Sequence, residues 1–259
     1  MSKFRSIVLT GASSGIGHKL AERLAAPGVR LLLIARRADA LASVAESTTA
    51  KGAVVKTASL DVRDKARMAE TLLGYDLAGP VDLIIANAGI SAGLGPNRTP
   101  EANGVAERLN AVNVLGALNT IEPLLPGMID RRAGMIALMS SLAAHAPLPD
   151  MPSYSASKAA VRAYGLALRA ALREKGVGVS VVCPGFVESP MTARHHGFKP
   201  FQISATRAAD ITVRGLERGK GEIAFPWPLV ALTWMSNRLP PAMADRALQG
   251  FRAEIEPEE

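Results

Sequence analysis

The sequence predicts a doubly wound parallel α/β sheet, a single domain over residues 1–259 with helices on both faces. Two observations lead there. Short β-branched or leucine-rich runs recur along the chain, separated by Ala-, Leu-, Arg- and Glu-rich segments long enough to be crossover helices. The runs are continuously apolar rather than alternating, as strands covered on both faces require. With 259 residues and 48% hydrophobic composition the chain can fill one substantial core. No repeat, linker or low-complexity tract divides it.

In chain order the runs are 6–10 (SIVLT), 29–35 (VRLLLIA), 53–59 (AVVKTAS), 81–87 (VDLIIAN), 134–140 (GMIALMS) and 177–183 (VGVSVVC), with a last short strand at 222–225. Parallel strands need right-handed crossovers, which place helices on both sides of the sheet. Ligands of such sheets bind beyond the carboxyl ends of the strands, so the residues just after each strand carry the functional information.

The first strand leads into TGASSGIG (residues 10–17) and then the helix-like HKLAERLAA. Gly11, Gly15 and Gly17 permit a tight turn and close backbone approach, Ser13 and Ser14 add hydroxyls, and Ile16 sits between the last two glycines. Amides at the opening of a helix, with its dipole, favour a pyrophosphate. The G-x-x-x-G-x-G spacing differs from the G-x-G-x-x-G fingerprint, but its place between strand and helix favours dinucleotide binding over a plain flexible loop. The second strand ends on Arg36 and Arg37, where an NAD-preferring site offers an acid to the ribose hydroxyls. Two guanidiniums suit a 2′-phosphate, so NADP(H) is the expected cofactor and NAD(H) the alternative. The competing reading is a solvated basic turn beside Asp39.

Composition narrows the partners. The formal charge is +7, but Lys and Arg are interspersed with acids and aromatics make up 4%, so no nucleic-acid partner is expected. A single cysteine, Cys183, and four histidines give neither an intramolecular disulfide nor a structural metal site. Cys183 reads as a buried strand residue. The first residues lack a secretory pattern, so a cytoplasmic location is expected. The segment 226–259 is expected as a C-terminal tail whose apolar start is too short and proline-broken to span a bilayer. Packing over the substrate cleft or on another subunit is favoured there over membrane contact through Trp227 and Trp234.

Further motifs follow in order: LDV at 60–62, NAG at 87–89, NVLG at 113–116, two serines at 140–141, YSASK at 154–158 and PGFVES at 184–189. With TGASSGIG, they make the chain resemble the short-chain dehydrogenase/reductase family, in its compact branch, over residues 3–225. Two departures stand out: Ala86 precedes Asn87 where many relatives carry a second Asn, and Ser189 stands where Thr is frequent. The resemblance implies a Rossmann-like fold, assembly as a homodimer or homotetramer, and hydride transfer between a nicotinamide and a carbonyl or secondary alcohol. It places Asp61 and Val62 at the adenine, and Asn87, Ala88 and Gly89 along the cofactor, Asn87 first as a tie between loops. Pro184, Gly185 and Val187 would frame the nicotinamide, with Ser189 at its carboxamide. Asp61 has a competing reading as a helix cap or turn acid.

Tyr154 and Lys158 are four residues apart and share one face of a helix. A free phenol, with a pKa of about 10, is a poor base near neutrality, and a neighbouring ammonium is expected to lower that value. The resemblance makes Tyr154 the acid/base, puts Lys158 on the ribose, gives the carbonyl to Ser141 with Ser140 as runner-up, and has Asn113 hold a water linking Lys158 to solvent. Ala143, Ala144, Pro147, Leu148, Met151 and Phe186 suggest a mostly apolar substrate pocket under a lid at 186–220. His145 is read as a packing or surface residue; His195 and His196 lie in the lid and make a poor chelate. A catalytically silent NADP(H)-sensing regulator is the alternative function, disfavoured because a sensor needs neither Ser141, Tyr154 nor Lys158.

Overall fold

The computed structural model describes residues 3–236, 238–240, 242–243, 246 and 253–256. Its strands are β1 (Ser6–Thr10), β2 (Arg30–Ala35), β3 (Val54–Ser59), β4 (Leu83–Ala86), β5 (Met135–Met139), β6 (Gly178–Pro184), β7 (His195–Gly197), β8 (Glu222–Phe225) and β9 (Ala253–Ile255). Seven of them form a parallel sheet in the order β3-β2-β1-β4-β5-β6-β8, the doubly wound architecture that the apolar runs predict. The order reverses between β1 and β4, and a crevice for ligand opens at the carboxyl ends there.

Alternation along each strand divides the core in two. Ile7, Leu9, Leu31, Leu33, Leu83 and Ile85 face one side, where helices α1 (Gly15–Leu24), α2 (Ala38–Thr49) and α9 (Ala205–Glu217) cover them. Val8, Leu32, Ile34, Ile84, Ile136 and Leu138 face the other. That side is covered by α3 (Lys65–Leu77), α4 (Val105–Leu109), α5 (Gly116–Ile121), α6 (Leu125–Arg131) and α7 (Pro152–Leu172). Between α4 and α5 the chain makes a π turn, Asn110–Leu115. Two short helices complete the description, α8 (Pro190–Ala193) and α10 (Trp227–Ser236). No helix among the described residues is long and apolar enough to cross a membrane.

Three departures from the sequence reading have physical causes. β3 was expected to be covered on both faces, yet it is the edge strand and much of it is open, with Val54 61% exposed. The segment expected as a lid, 186–220, includes core: from Ala205 it forms α9, which is capped by the Ser204 hydroxyl, accepting from the Arg207 amide at 3.2 Å, and buries Ala208, Ala209, Val213 and Leu216. The strands β7 and β9 had no apolar signature, and they pair antiparallel as a separate ribbon. In the expected tail, α10 buries Leu229 and Thr233 and leaves Trp227 and Trp234 exposed. Parts of that tail lie outside the described residues.

The edge assignment gives a contrast. Ile84→Ala, on a central strand, is expected to cost about 2–5 kcal/mol. Val54→Thr, on the open edge, should stay within about 0.5 kcal/mol in the same urea titration.

Candidate active site

The switch point is built by side chains that tie β1 to β4. Thr10 Oγ1 accepts from the amides of Asn87 (3.1 Å) and Ala88 (3.2 Å). The Asn87 side-chain amide donates to the carbonyls of Thr10 (3.0 Å) and Gly11 (3.1 Å). Asn87 thus ties the two loops together. A Cβ on Gly17 would collide with the Gly11 carbonyl and the Asn87 amide, so the close approach of α1 to this tie requires glycine. Ser14 stands at the N-cap of α1 without a side-chain capping bond, which leaves the first helical amides directed at the crevice.

A cleft of about 510 Å³ runs along the carboxyl ends of the strands. Gly11, Ser13, Ser14, Gly15, Ile16 and Gly17 line its floor, and Arg36, Arg37, Asp61 and Val62 line one end. Asn87, Ala88, Gly89, Pro184, Gly185, Val187 and Ser189 line the remainder with Ser141, Tyr154 and Lys158. Helix-opening amides suit the pyrophosphate of a dinucleotide. Asp61 is not a helix cap: Asp64 caps α3, accepting from the Arg67 amide at 3.1 Å. Asp61 is a turn acid, accepting from the Arg63 amide at 2.9 Å, and its carboxylate also takes a forked bond from the Arg63 side chain, with Nη2 at 2.7 Å and Nε at 3.1 Å. Those Arg63 bonds hold its pKa below the usual carboxylate range. Ser189 caps α8, its hydroxyl accepting from the Thr192 amide at 3.1 Å.

Where α7 begins, the catalytic candidates converge. Lys158 is 4% exposed and its ammonium donates to the Met139 carbonyl at 3.0 Å. The same Nζ lies 5.8 Å from the centre of the Tyr154 ring. Asn113, held by the π turn, accepts from the Ile90 amide at 2.8 Å and donates to the Ile90 carbonyl at 3.1 Å and to Ser157 Oγ at 3.0 Å. A Cβ on Gly89 would stand 3.1 Å from Asn113 Oδ1 and 3.2 Å from Lys158 Nζ, so both side chains close around that residue. Ser140 Oγ is spent on the Lys158 carbonyl at 2.7 Å. Ser141 accepts from the Ala143 amide at 3.1 Å, donates only at 3.4 Å to the Pro184 carbonyl, and lines the same cavity as Tyr154, whereas Ser140 does not line that cavity.

The electrostatics correct one expectation. Lys158 was expected to lower the Tyr154 pKa; burial instead pushes Tyr154 up, opposed by the Ser141 hydrogen bond. Burial also lowers Lys158 to about 8. The ammonium faces the ring and a main-chain carbonyl, and desolvation is the largest cause of both shifts.

Beside Tyr154 a second cavity, about 200 Å³, is lined mainly by Leu142, Met151, Phe186, Leu229, Leu232 and Ile255. Of the residues named from the sequence, Ala143, Leu148, Met151 and Phe186 line it, whereas Ala144 and Pro147 do not. One wall is the β7–β9 ribbon, where His195 pairs with Ile255. The ribbon is anchored by Asp150, whose carboxylate accepts from the Ala253 amide at 2.8 Å and pairs with Arg98 at 2.5 Å. His195 and His196 lie on a strand: the first turns into the cavity, the second outward to Glu256 at 2.8 Å.

Comparison with known proteins agrees with this geometry. A family model described as short chain dehydrogenase matches residues 5–198. An uncharacterized oxidoreductase of Myxococcus xanthus is 36% identical over 253 residues, covering 96% of this chain and 98% of its own. Among solved structures, a short chain dehydrogenase/reductase of Burkholderia phymatum in complex with NAD is 26% identical, with full coverage of both chains and a TM-score of 0.82. L-sorbose reductase of Gluconobacter frateurii, complexed with NADPH and L-sorbose, is 25% identical over 86% of this chain and 94% of its own, with a TM-score of 0.74. The chain belongs to the short-chain dehydrogenase/reductase family. It is an oxidoreductase with the Rossmann-like fold of that family, whose solved relatives hold nicotinamide dinucleotides.

Behind the site lies a polar knot that sequence reading did not assemble. Glu222 Oε1 accepts from Arg162 Nε at 2.7 Å, lies 3.0 Å from His145 Nε2, and accepts from the Cys183 thiol at 3.5 Å. His145 follows the turn after Ser141, Arg162 lies one helical turn beyond Lys158, and Cys183 precedes Pro184, so one carboxylate ties together the segments that carry the site. The N, S and O atoms of His145, Cys183 and Glu222 lie within 4.8 Å of one another, but the carboxylate already holds the Arg162 guanidinium as its cation. His145 and Arg162 together lower Glu222 from its ordinary 4.5 to about 2, against the cost of burial. A carboxylate with a depressed folded pKa stabilises the fold fully above its unfolded value and loses that contribution as pH falls. The stability gap between wild type and Glu222→Gln should therefore be widest above pH 4.5 and shrink toward pH 2, measured as urea midpoints across that window.

Proposed function

We propose that the protein transfers a hydride between NADP(H) and the carbonyl carbon of a small, mostly apolar ketone or secondary alcohol, with Tyr154 as acid/base. The observation that carries this reading is that Ser141 and Tyr154 line both the long polar cleft and the small apolar cavity. A substrate carbonyl in that cavity meets two hydroxyls at the boundary, where a nicotinamide in the cleft would supply or accept the hydride.

The residues of the chain have separable tasks. Ser141 orients the carbonyl oxygen by a hydrogen bond, and Tyr154 gives that oxygen its proton in reduction or removes it in oxidation. Burial raises the Tyr154 pKa, which suits the phenol to donating its proton. Lys158 supplies the positive charge behind the ring, and Asn113 fixes the loop at Ile90 against Ser157. The helix opening at Gly15 would hold the pyrophosphate, and Arg36 and Arg37 would favour a 2′-phosphate. A silent sensor would use the cleft alone; the assembled serine, tyrosine and lysine beside a second cavity favour turnover.

Tyr154→Phe is expected to reduce ketone turnover by about 10²–10⁴-fold while leaving NADPH affinity close to wild type, followed by absorbance and by nucleotide fluorescence. Arg36→Asp should shift selectivity toward NAD(H); an unchanged NADPH/NADH ratio in kcat/KM removes Arg36 from cofactor choice. Reduction should weaken as pH rises through about 8, where Lys158 loses its proton, in a profile of kcat/KM against pH.

A further inference from the structure

The substrate cavity is nearly free of polar demands. Among the described residues, none of its lining side chains is an acid, a lysine or an arginine. Its hydroxyls are already engaged away from the reacting groups: Thr233 donates to the Val230 carbonyl at 2.8 Å, Ser236 to the Thr233 carbonyl at 2.9 Å, and Thr192 lies 3.1 Å from Ser189 Oγ. Ser91 Oγ accepts from Arg194 at 3.5 Å.

His195 is the exception. Its residue is 7% exposed, its ring lies 5.3 Å from that of Phe186, and its Nδ1 is sealed without a hydrogen-bond partner, so contact with a ligand falls to Nε2, the nitrogen that is not sealed. An unmatched buried nitrogen is costly, and such atoms in folded proteins call for an explanation. The ring does not reach this position by chance of a flexible loop. Pairing of β7 with β9 fixes the backbone, and strand alternation turns His195 inward and His196 outward. Burial lowers the His195 pKa, so the ring is neutral and offers one donor and one acceptor.

We propose that His195 hydrogen-bonds a second, uncharged polar group of the substrate, so that the site selects compact ketones or secondary alcohols bearing a further hydroxyl or carbonyl. The proposal rests on the oxidoreductase reading and narrows it. A neutral imidazole in an apolar wall matches an alcohol or carbonyl oxygen, which it can meet as donor or acceptor. The volume of about 200 Å³ lies below the roughly 300–1,000 Å³ of sites for drug-sized ligands, which keeps the substrate small.

The test compares cyclohexanone with its α-hydroxy and α-diketone counterparts, using the full chain and NADPH. Wild type should favour the oxygenated pair by about tenfold or more in kcat/KM, the discrimination of one hydrogen bond. His195→Leu should bring the ratio close to one, mainly through KM, with NADPH affinity unchanged, and His195→Gln should restore part of it. A ratio near one in wild type, or the same ratio in His195→Leu, overturns the proposal. A second readout needs no turnover: with four histidines in the chain, the His195 ring signal can be assigned by difference in a histidine-labelled NMR spectrum. Titrating α-hydroxycyclohexanone into the NADPH mixture should shift that signal, and an unmoved signal means that the ring is satisfied by water alone and sinks the idea. If no carbonyl compound is reduced, the proposed hydride transfer to a ketone fails, while the ring signal still decides the role of His195.

Discussion

Burying the ammonium of Lys158 is the constraint around which the rest of the site is arranged. A charged group this far from water demands close polar partners, and the Met139 carbonyl at the end of β5 is the one it bonds. Holding it there requires the start of α7 to lie across the ends of β5 and β6, and Ser140 secures that contact by donating to the Lys158 carbonyl. The loop after β4 must then pass within contact of the ammonium, where Gly89 leaves room and Asn113 pins Ile90. Desolvation that draws the lysine down also draws the tyrosine up, so one packing decision sets the proton chemistry of both.

A division of labour follows from the two cavities. The long cleft is made of main-chain amides, glycines and guanidiniums, suited to an anionic dinucleotide. The short cavity is made of Leu, Met, Phe and Ile side chains from distant parts of the chain, including α10 and the β7–β9 ribbon. Ser141 and Tyr154 belong to both. The Glu222 carboxylate braces this junction from behind by holding Arg162, His145 and Cys183.

Much of this was legible in the residues. β1 and β8 fall where their apolar runs begin and end, and the glycine loop, Asn87 and the Tyr154–Lys158 face lie at one crevice. What escaped depends on contacts across long stretches of chain. Thr10 meets Asn87 and Ala88 from 77 and 78 residues away, and Ser157 meets Asn113 from 44, so neither hydroxyl stood out within its motif. The β7–β9 pair joins two three-residue strands too short to show periodicity. An apolar run such as 53–59 does not reveal that it will stand at an edge. The sign of the Tyr154 shift was misjudged because spacing along a helix shows proximity but not burial.

Cys183 illustrates how thoroughly the end of β6 is sealed. Its side chain has no exposed surface, and burial, followed by the neighbouring Glu222 charge, pushes the thiol up to about 12. Thiolate is the reactive form, so at neutral pH the sole native sulfhydryl is inert to alkylating reagents. A maleimide dye can therefore be attached to a cysteine introduced on the surface with the native one left in place, which makes distance measurements across the β7–β9 ribbon accessible on an otherwise unaltered protein.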